Sequence, residues 1–291
     1  MLTGRDLRDT LHRDGYLFPG SVAGIYGTDG RFERMLAALS ATLSSLAGEA
    51  GARHLRFPPA VRADDLARVG YARAFPHLAA AISVCARPDA AAWGADPAGW
   101  TDLLEPSELA LRPAACYAVY PHLAHSTVAT AVRFDTMGYC FRREPSDDPF
   151  RMQYFRMHEV VFVGPDAAVG AFLTWAHDTA RALFDQLGLP VDRCPATDPF
   201  FGPGGRVLAA EQRERDLKQE YVLRGAGVAL ASVNHHETHF TRPYAIGGGA
   251  VSACVGFGLE RAVLAAFAHH GTDPAAWPSA ARAVVGLAGS A

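Results

Sequence analysis

Apolar residues recur at helical spacing over 31–47, where Phe32, Met35, Leu36, Leu39, Leu43 and Leu46 share one face and Gly48 and Gly51 follow as a stop. His54-Leu55-Arg56-Phe57 then reads as a short strand, closed by Pro58-Pro59 because proline cannot donate to a ladder. An alanine-rich stretch over 63–84 keeps helical spacing, and 86–105, with its Pro, Gly, Trp and Asp, reads as a surface excursion. The pattern over 114–131 is mixed. Segments 137–144 and 154–163 predict two strands joined by a turn-rich loop over 145–149. Val169, Phe172, Leu173, Ala176 and Leu183 predict an amphipathic helix over 167–187, and a second helix is expected over 207–219. Strands follow at 220–224, 228–233 and 250–256, then a helix over 258–269. The first 30 residues are short polar and Gly-rich pieces ending in a turn at 24–30. Strands that cluster late and pair locally give an α+β class, an antiparallel sheet flanked by helices, in one domain over 1–291.

With 291 residues and 49% hydrophobic content the chain can bury a large core. Its formal net charge of -3 and the absence of a dense Lys/Arg run argue against a protein built to grip a nucleic-acid backbone. Arginine supplies nearly all the positive charge, and Lys218 is the only lysine. No run approaches the roughly 18 apolar residues that span a bilayer. The N-terminus mixes charges of both signs without the apolar centre of a signal peptide, so a cytoplasmic protein is expected. The five cysteines are odd in number and scattered, which suits free thiols or metal ligands better than a disulfide frame.

The chemistry concentrates in two strings. Cys140-Phe141-Arg142-Arg143-Glu144, a loop, and Arg151-Met152-Gln153-Tyr154-Phe155-Arg156-Met157-His158-Glu159 form a strand–loop–strand rich in arginine and carboxylate. Cys254-Val255-Gly256-Phe257-Gly258-Leu259-Glu260-Arg261 is a strand running into a helix, with glycines that allow close approach of a ligand. Taken alone, the first also has a plain reading as an amphipathic hairpin with surface ion pairs, and a lone Gly-x-Gly is weak. In this order and separation they resemble motifs 2 and 3 of the class II aminoacyl-tRNA synthetases, with the 31–47 helix and the strand ending at Pro59 standing where motif 1 builds a dimer interface. The resemblance implies the class II catalytic core and an ATP site. Arg142 would meet the α-phosphate, Glu144 the adenine amino group, Phe155 the purine face, Arg151 the outer phosphates, and Arg261 the opposite adenine face and γ-phosphate. A fixed guanidinium stabilises charge on non-bridging phosphate oxygens better than water does.

Within the class, the chain resembles the seryl-tRNA synthetases of methanogens and their tRNA-free relatives, the amino acid:carrier-protein ligases. Arg56-Phe57-Pro58-Pro59, Phe75-Pro76-His77-Leu78 and Asp148-Pro149-Phe150-Arg151-Met152 favour the ligases. The resemblance implies a catalytic Zn2+ held by Cys116, Glu159 and Cys254, which no local spacing reveals, with an open position for a substrate amine. It further implies that Asp198, in Asp198-Pro199-Phe200-Phe201-Gly202, and Ser232 and Asn234, in Ser232-Val233-Asn234-His235, contact the substrate, and that Glu220 and Lys218 face the nucleotide and Mg2+. In one departure, Val228, Ala229 and Leu230 stand where the synthetases often carry an acidic Mg2+ ligand. His235-His236-Glu237-Thr238-His239 lacks the i, i+4 spacing of a metalloprotease pair and stays open between an active-site strand and a solvated patch. The expected reaction is ATP-dependent activation of a small amino acid (glycine, alanine or serine), then transfer to the phosphopantetheine thiol of an acidic carrier protein by a homodimer, with neither tRNA nor membrane as partner. The alternatives are a minimal tRNA-charging enzyme and a catalytically silent paralogue with a regulatory or scaffold role.

Overall fold

Valine and phenylalanine at successive positions of 160–163 give that segment two apolar faces, as befits a strand covered on both sides. The computed structural model, which describes residues 1–85 and 97–287, makes it the middle of a long strand. In chain order the strands are β1 (Leu17–Pro19), β2 (Tyr26–Thr28), β3 (Arg53–Leu55), β4 (Ala60–Arg62), β5 (Ala81–Cys85) and β6 (Leu104–Leu111). They continue as β7 (Val132–Phe141), β8 (Tyr154–Pro165), β9 (Val191–Pro195), β10 (Lys218–Leu223), β11 (Val228–Glu237) and β12 (Ala250–Gly258). The main sheet has the order β3-β7-β8-β12-β11-β10-β9. Every pair in it is antiparallel except the edge pair β3–β7, which is parallel. The α+β expectation therefore holds, with one parallel edge.

Helices Gly30–Glu49, Asp166–Gln186 and Leu259–His270 cover one face. Asp29 starts the first of them, its carboxylate accepting from the backbone of Arg31 and Phe32 at 3.0 and 2.9 Å. Phe32, Met35, Leu36, Leu39 and Leu43 then pack in a core with Val160, Phe162, Val255 and Phe257. Side chains alternate across the sheet, so Glu159, Val161 and Cys254 point away from these helices into a second cluster with Cys116, Phe134 and Tyr120. That second face holds Cys116, Glu159 and Cys254, the residues expected to bind metal.

One buried ion network ties the layers together. Arg156 on β8 reaches Glu260 at 2.7 Å and Glu33 of the first long helix at 2.6 Å, and burial raises the Glu260 carboxyl despite Arg156. Arg156→Met strands Glu260 in the core and should cost about 3–5 kcal/mol; urea unfolding checks this, and an unchanged midpoint would show that Arg156 does not balance Glu260.

Several sequence expectations are corrected. The 63–84 stretch is not one helix: Ala63–Arg68 and Tyr71–Ala74 are separated by Gly70 at φ 72°, and β5 follows. Proline after Phe75 and a left-handed glycine break what alanine content favours. The excursion at 86–105 lies largely outside the described residues, and its end enters β6. The second helix spans Gly202–Glu214, ahead of its expected range, and Lys218 already belongs to β10. The N-terminal pieces include a helix, Gly4–Arg13, held by fully buried Leu7 and Leu11. No helix among the described residues is long and apolar enough to cross a membrane.

Candidate active site

On the open face of the sheet, register brings the sequence candidates together. Glu159 on β8 pairs with Gly256 on β12, and Cys254 on β12 pairs with Asn234 on β11. A Cβ at Gly256 would stand 3.0 Å from Met157 Cε and 3.3 Å from Glu159 Cγ, so glycine keeps the carboxylate's seat open. Cys116 arrives from a turn, Ala115–Ala118, whose backbone N–H groups at Ala115 and Cys116 donate to Glu159 Oε1 at 2.6 and 3.2 Å. The ligand atoms of Cys116, Glu159 and Cys254 all lie within 4.8 Å of one another, and all three residues are buried. A hydrogen bond shared with Cys254, burial and the Glu159 carboxylate push the Cys116 thiol well above its ordinary range. Two thiols and a carboxylate packed so closely repel one another once ionised, and a divalent ion relieves that repulsion. Sulfur and oxygen donors in this number fit zinc with one position free.

A cleft lined by Arg142, Glu144, Arg151, Phe155, Glu220 and Arg261 opens beside this cluster. Arg142, just past β7, donates through Nε to Pro113 O at 3.2 Å, and its guanidinium lies 5.5 Å from the Phe155 ring centroid. Arg261, in the first turn of the helix after β12, donates to Phe150 O at 2.8 Å and Ala229 O at 3.0 Å. Burial and repulsion from Arg142 push Arg261 down to about 10. Two half-hidden guanidinium groups that repel each other make a seat for an anion. Glu144 and Arg151 pair at 3.2 Å across the two ends of the 145–149 loop.

The cleft joins a cavity of about 800 Å³ that also contains Cys116, Glu159, Cys254, Asp198 and Asn234. Arg142, Met157, Lys218, Ser232 and Gly256 line both spaces, so the junction lies among these side chains. Alternation on β10 and its register with β11 place Lys218 beside Asn234 and Glu220 beside Ser232. Asp198 accepts from Lys218 at 2.5 Å and from Gln212 at 2.8 Å. Despite burial, Lys218 holds its carboxyl at about 2. Asp198 thus meets the cavity as half of an ion pair rather than as a free carboxylate. Asn234 Nδ2 donates to Ser232 Oγ at 3.0 Å and to Cys254 Sγ at 3.5 Å.

Sequence reading left His236 undecided and did not find the rings around it. His236 is the next residue on the Ser232–Asn234 face, and the two-residue period was the available signal. It lies 3.6 Å from Cys254 Sγ, and burial pulls its imidazole down to about 3, leaving it neutral. Tyr117 and Phe240, at 5.2 Å between centroids, complete the wall. The Lys218–Asp198 pair also escaped notice, since it joins a strand to a loop 20 residues away.

No protein-family model matches the sequence. Solved structures show the fold. The seryl-tRNA synthetase of M. kandleri, crystallised with A. aeolicus tRNASec, superposes with a TM-score of 0.83 at 19% identity, covering 96% of this chain and 60% of that one. The cytoplasmic serine-tRNA ligase of Naegleria fowleri, in complex with AMP, gives 0.73 at 14% identity over 97% of this chain and 66% of that one. The chain therefore spans about 60% of the M. kandleri protein. In sequence, a type-2 serine–tRNA ligase of Methanococcus aeolicus is 28% identical over 205 residues, 64% of this chain and 39% of that protein. Amino acid–[acyl-carrier-protein] ligases 1 and 2 of Bradyrhizobium diazoefficiens are 37% and 36% identical, each over 91% of this chain and 85% and 84% of their own lengths. On that likeness along nearly its whole length, with a class II synthetase core beneath it, the chain belongs to the amino acid–[acyl-carrier-protein] ligase family.

Proposed function

We propose that the protein activates a small amino acid with ATP and passes it to the thiol of a phosphopantetheinylated carrier protein. The observation that carries this reading is the junction: a cleft with two arginines opens, past Arg142 and Lys218, onto a Cys–Glu–Cys cluster. A molecule that bears both an amine and a carboxylate spans such a junction, amine to the cluster and carboxylate to Arg142.

In the first step a carboxylate oxygen of the amino acid attacks the α-phosphorus, the bond to the β-phosphate oxygen breaks, and pyrophosphate leaves. Arg142, with Nε fixed on Pro113, turns its remaining N–H groups toward the phosphoryl oxygens where charge grows. Arg261 holds the far side of the nucleotide, Phe155 carries the purine, and Glu144 and Arg151 exchange their mutual pair for the adenine amino group and the outer phosphates. Glu220 faces the same cleft and would hold the Mg2+ that accompanies ATP. In the second step the carrier thiol gives its proton to solvent, its sulfur attacks the acyl carbon, the bond to the phosphate oxygen breaks, and AMP leaves. Proximity does most of the work here, since the adenylate is already activated.

Cys116, Glu159 and Cys254 would hold zinc, which when bound offers the substrate amine a Lewis-acid seat. Ser232 and Asn234 line the approach to it, while Lys218 and Asp198 set the charge at the junction. Tyr117, His236 and Phe240 crowd the side of the cavity next to Cys254, favouring glycine, alanine or serine. The remaining space, lined by Phe75, Phe200, Phe201 and Leu208, suits a slender thiol arm. A homodimer would form through the helix Gly30–Glu49 and the edge strand β3, whose outer side has no strand partner among the described residues.

Pyrophosphate exchange into ATP, measured for each amino acid, tests the first step. The highest rate is expected with glycine, alanine or serine. Loading of radiolabelled amino acid onto phosphopantetheinylated carrier protein, with tRNA as the competing acceptor, tests the second. Exchange with no amino acid would point to a silent paralogue, and labelled tRNA with an unlabelled carrier would overturn the carrier reading.

A further inference from the structure

The two cysteines of the cluster sit in different surroundings. Cys254 Sγ has nitrogens in reach from two neighbours on β11: Asn234 Nδ2 donates at 3.5 Å, and His236 Nε2 lies 3.6 Å away. Cys116 faces Cys254 and Glu159. The His236 ring is fixed from the other side. Its Nδ1 lies 3.2 Å from the Tyr120 hydroxyl, and its edge meets Phe240 at 4.9 Å and 81°. Phe240 in turn stacks flat on Tyr120, centroids 4.3 Å apart. Tyr120 is fully buried beside Ser252, whose hydroxyl can donate to the phenol oxygen while the phenol donates onward to Nδ1.

A neutral imidazole carries one N–H, and the partner of one nitrogen decides where it sits. With the proton on Nδ1, the bare lone pair of Nε2 would face the lone pairs of an ionised Cys254, an unfavourable contact. With the proton on Nε2, the Tyr120 hydroxyl donates to Nδ1 and Nε2–H donates to sulfur, so both contacts are satisfied. Only the second arrangement suits a thiolate that binds a metal.

We propose that His236 is a positioning residue of the metal centre, in which a relay from the Tyr120 hydroxyl through the imidazole to Cys254 Sγ aims that thiolate and tempers its electron donation to zinc. The inference rests on the zinc reading of Cys116, Glu159 and Cys254. A sulfur that gives less charge to the ion leaves more Lewis acidity for the substrate amine. The asymmetry follows: Cys254 is the tuned ligand, and Cys116 is not.

The test uses the full chain as wild type and as His236→Phe, His236→Gln and Tyr120→Phe. Phenylalanine keeps the ring against Phe240 without an N–H, glutamine restores an N–H, and Tyr120→Phe removes only the hydroxyl. Metal content, zinc release to a chromophoric chelator, and the absorption of the cobalt(II)-substituted protein are measured. His236→Phe is expected to weaken zinc binding about 10–100-fold and to move the thiolate-to-cobalt charge-transfer band to longer wavelength. His236→Gln should recover most of both, and Tyr120→Phe should shift both the same way by less. If His236→Phe does not fold, Tyr120→Phe carries the test alone. Variants that match wild type in zinc affinity and in band position overturn the relay while leaving the zinc site standing. Wild-type protein that takes up neither zinc nor cobalt overturns the metal reading and the relay with it.

Discussion

Cys254→Ala is expected to strip the protein of zinc and to reduce ATP–pyrophosphate exchange by at least the ~10²–10³-fold that follows loss of one fixed charge-stabilising group. The sulfur is the meeting point of the site: it lies in the cluster with Cys116 and Glu159, and Asn234 and His236 both approach it. Cys116 and Glu159 alone leave too few donors for a tight zinc site. The fold should survive, because the void left is that of one small side chain. Metal analysis, exchange kinetics and thermal unfolding of the same sample separate the outcomes. Folded Cys254→Ala protein that still exchanges at the wild-type rate would sink the metal assignment.

Much of this centre was legible from strands. Glu159 and Cys254 lie in segments that read as strands, and Arg142 and Arg261 stand at a strand end and a helix start, but the roles expected of all four came from the resemblance and not from spacing. Cys116 was different. It enters from a short turn 43 residues before Glu159, in a segment of mixed pattern, so its placement as well as its role rested on the resemblance. Contacts that join a strand to a loop were hidden for the same reason: Asp198 has the composition of a turn residue, and nothing local marks its 2.5 Å bond to Lys218. The consequence is that Asp198 meets the cavity already paired with an ammonium. Alanine misled over 63–84. Its helix propensity is only a weak prior, overridden here by Gly70 in the left-handed region and by pairing of β5 with β6. The helix Gly4–Arg13 was missed because two leucines four residues apart, Leu7 and Leu11, are its whole buried stripe. The parallel pairing of β3 with β7 is a matter of topology that no periodicity encodes.

Arg142→Ala should lower kcat/KM for pyrophosphate exchange about 10²–10³-fold while the protein keeps its zinc, which distinguishes it from the cysteine variant. Arg142→Lys should do little better. The guanidinium divides its work, Nε anchoring on Pro113 O at 3.2 Å and the other nitrogens facing the junction, and an ammonium cannot do both. Arg261 makes the comparison sharper. Its donors go to the carbonyls of Phe150 and Ala229, and Arg142 is one of the charges that hold it down at about 10. Both guanidinium groups stay charged at neutral pH and line one cleft, so if they share one anion the loss of Arg142 already weakens what Arg261 holds, and the double variant should fall short of the product of the single effects. A double-mutant cycle on exchange kinetics measures this coupling. Strictly additive losses would mean that the two guanidinium groups do not share one anion, and full activity in Arg142→Ala would remove the nucleotide from the cleft altogether.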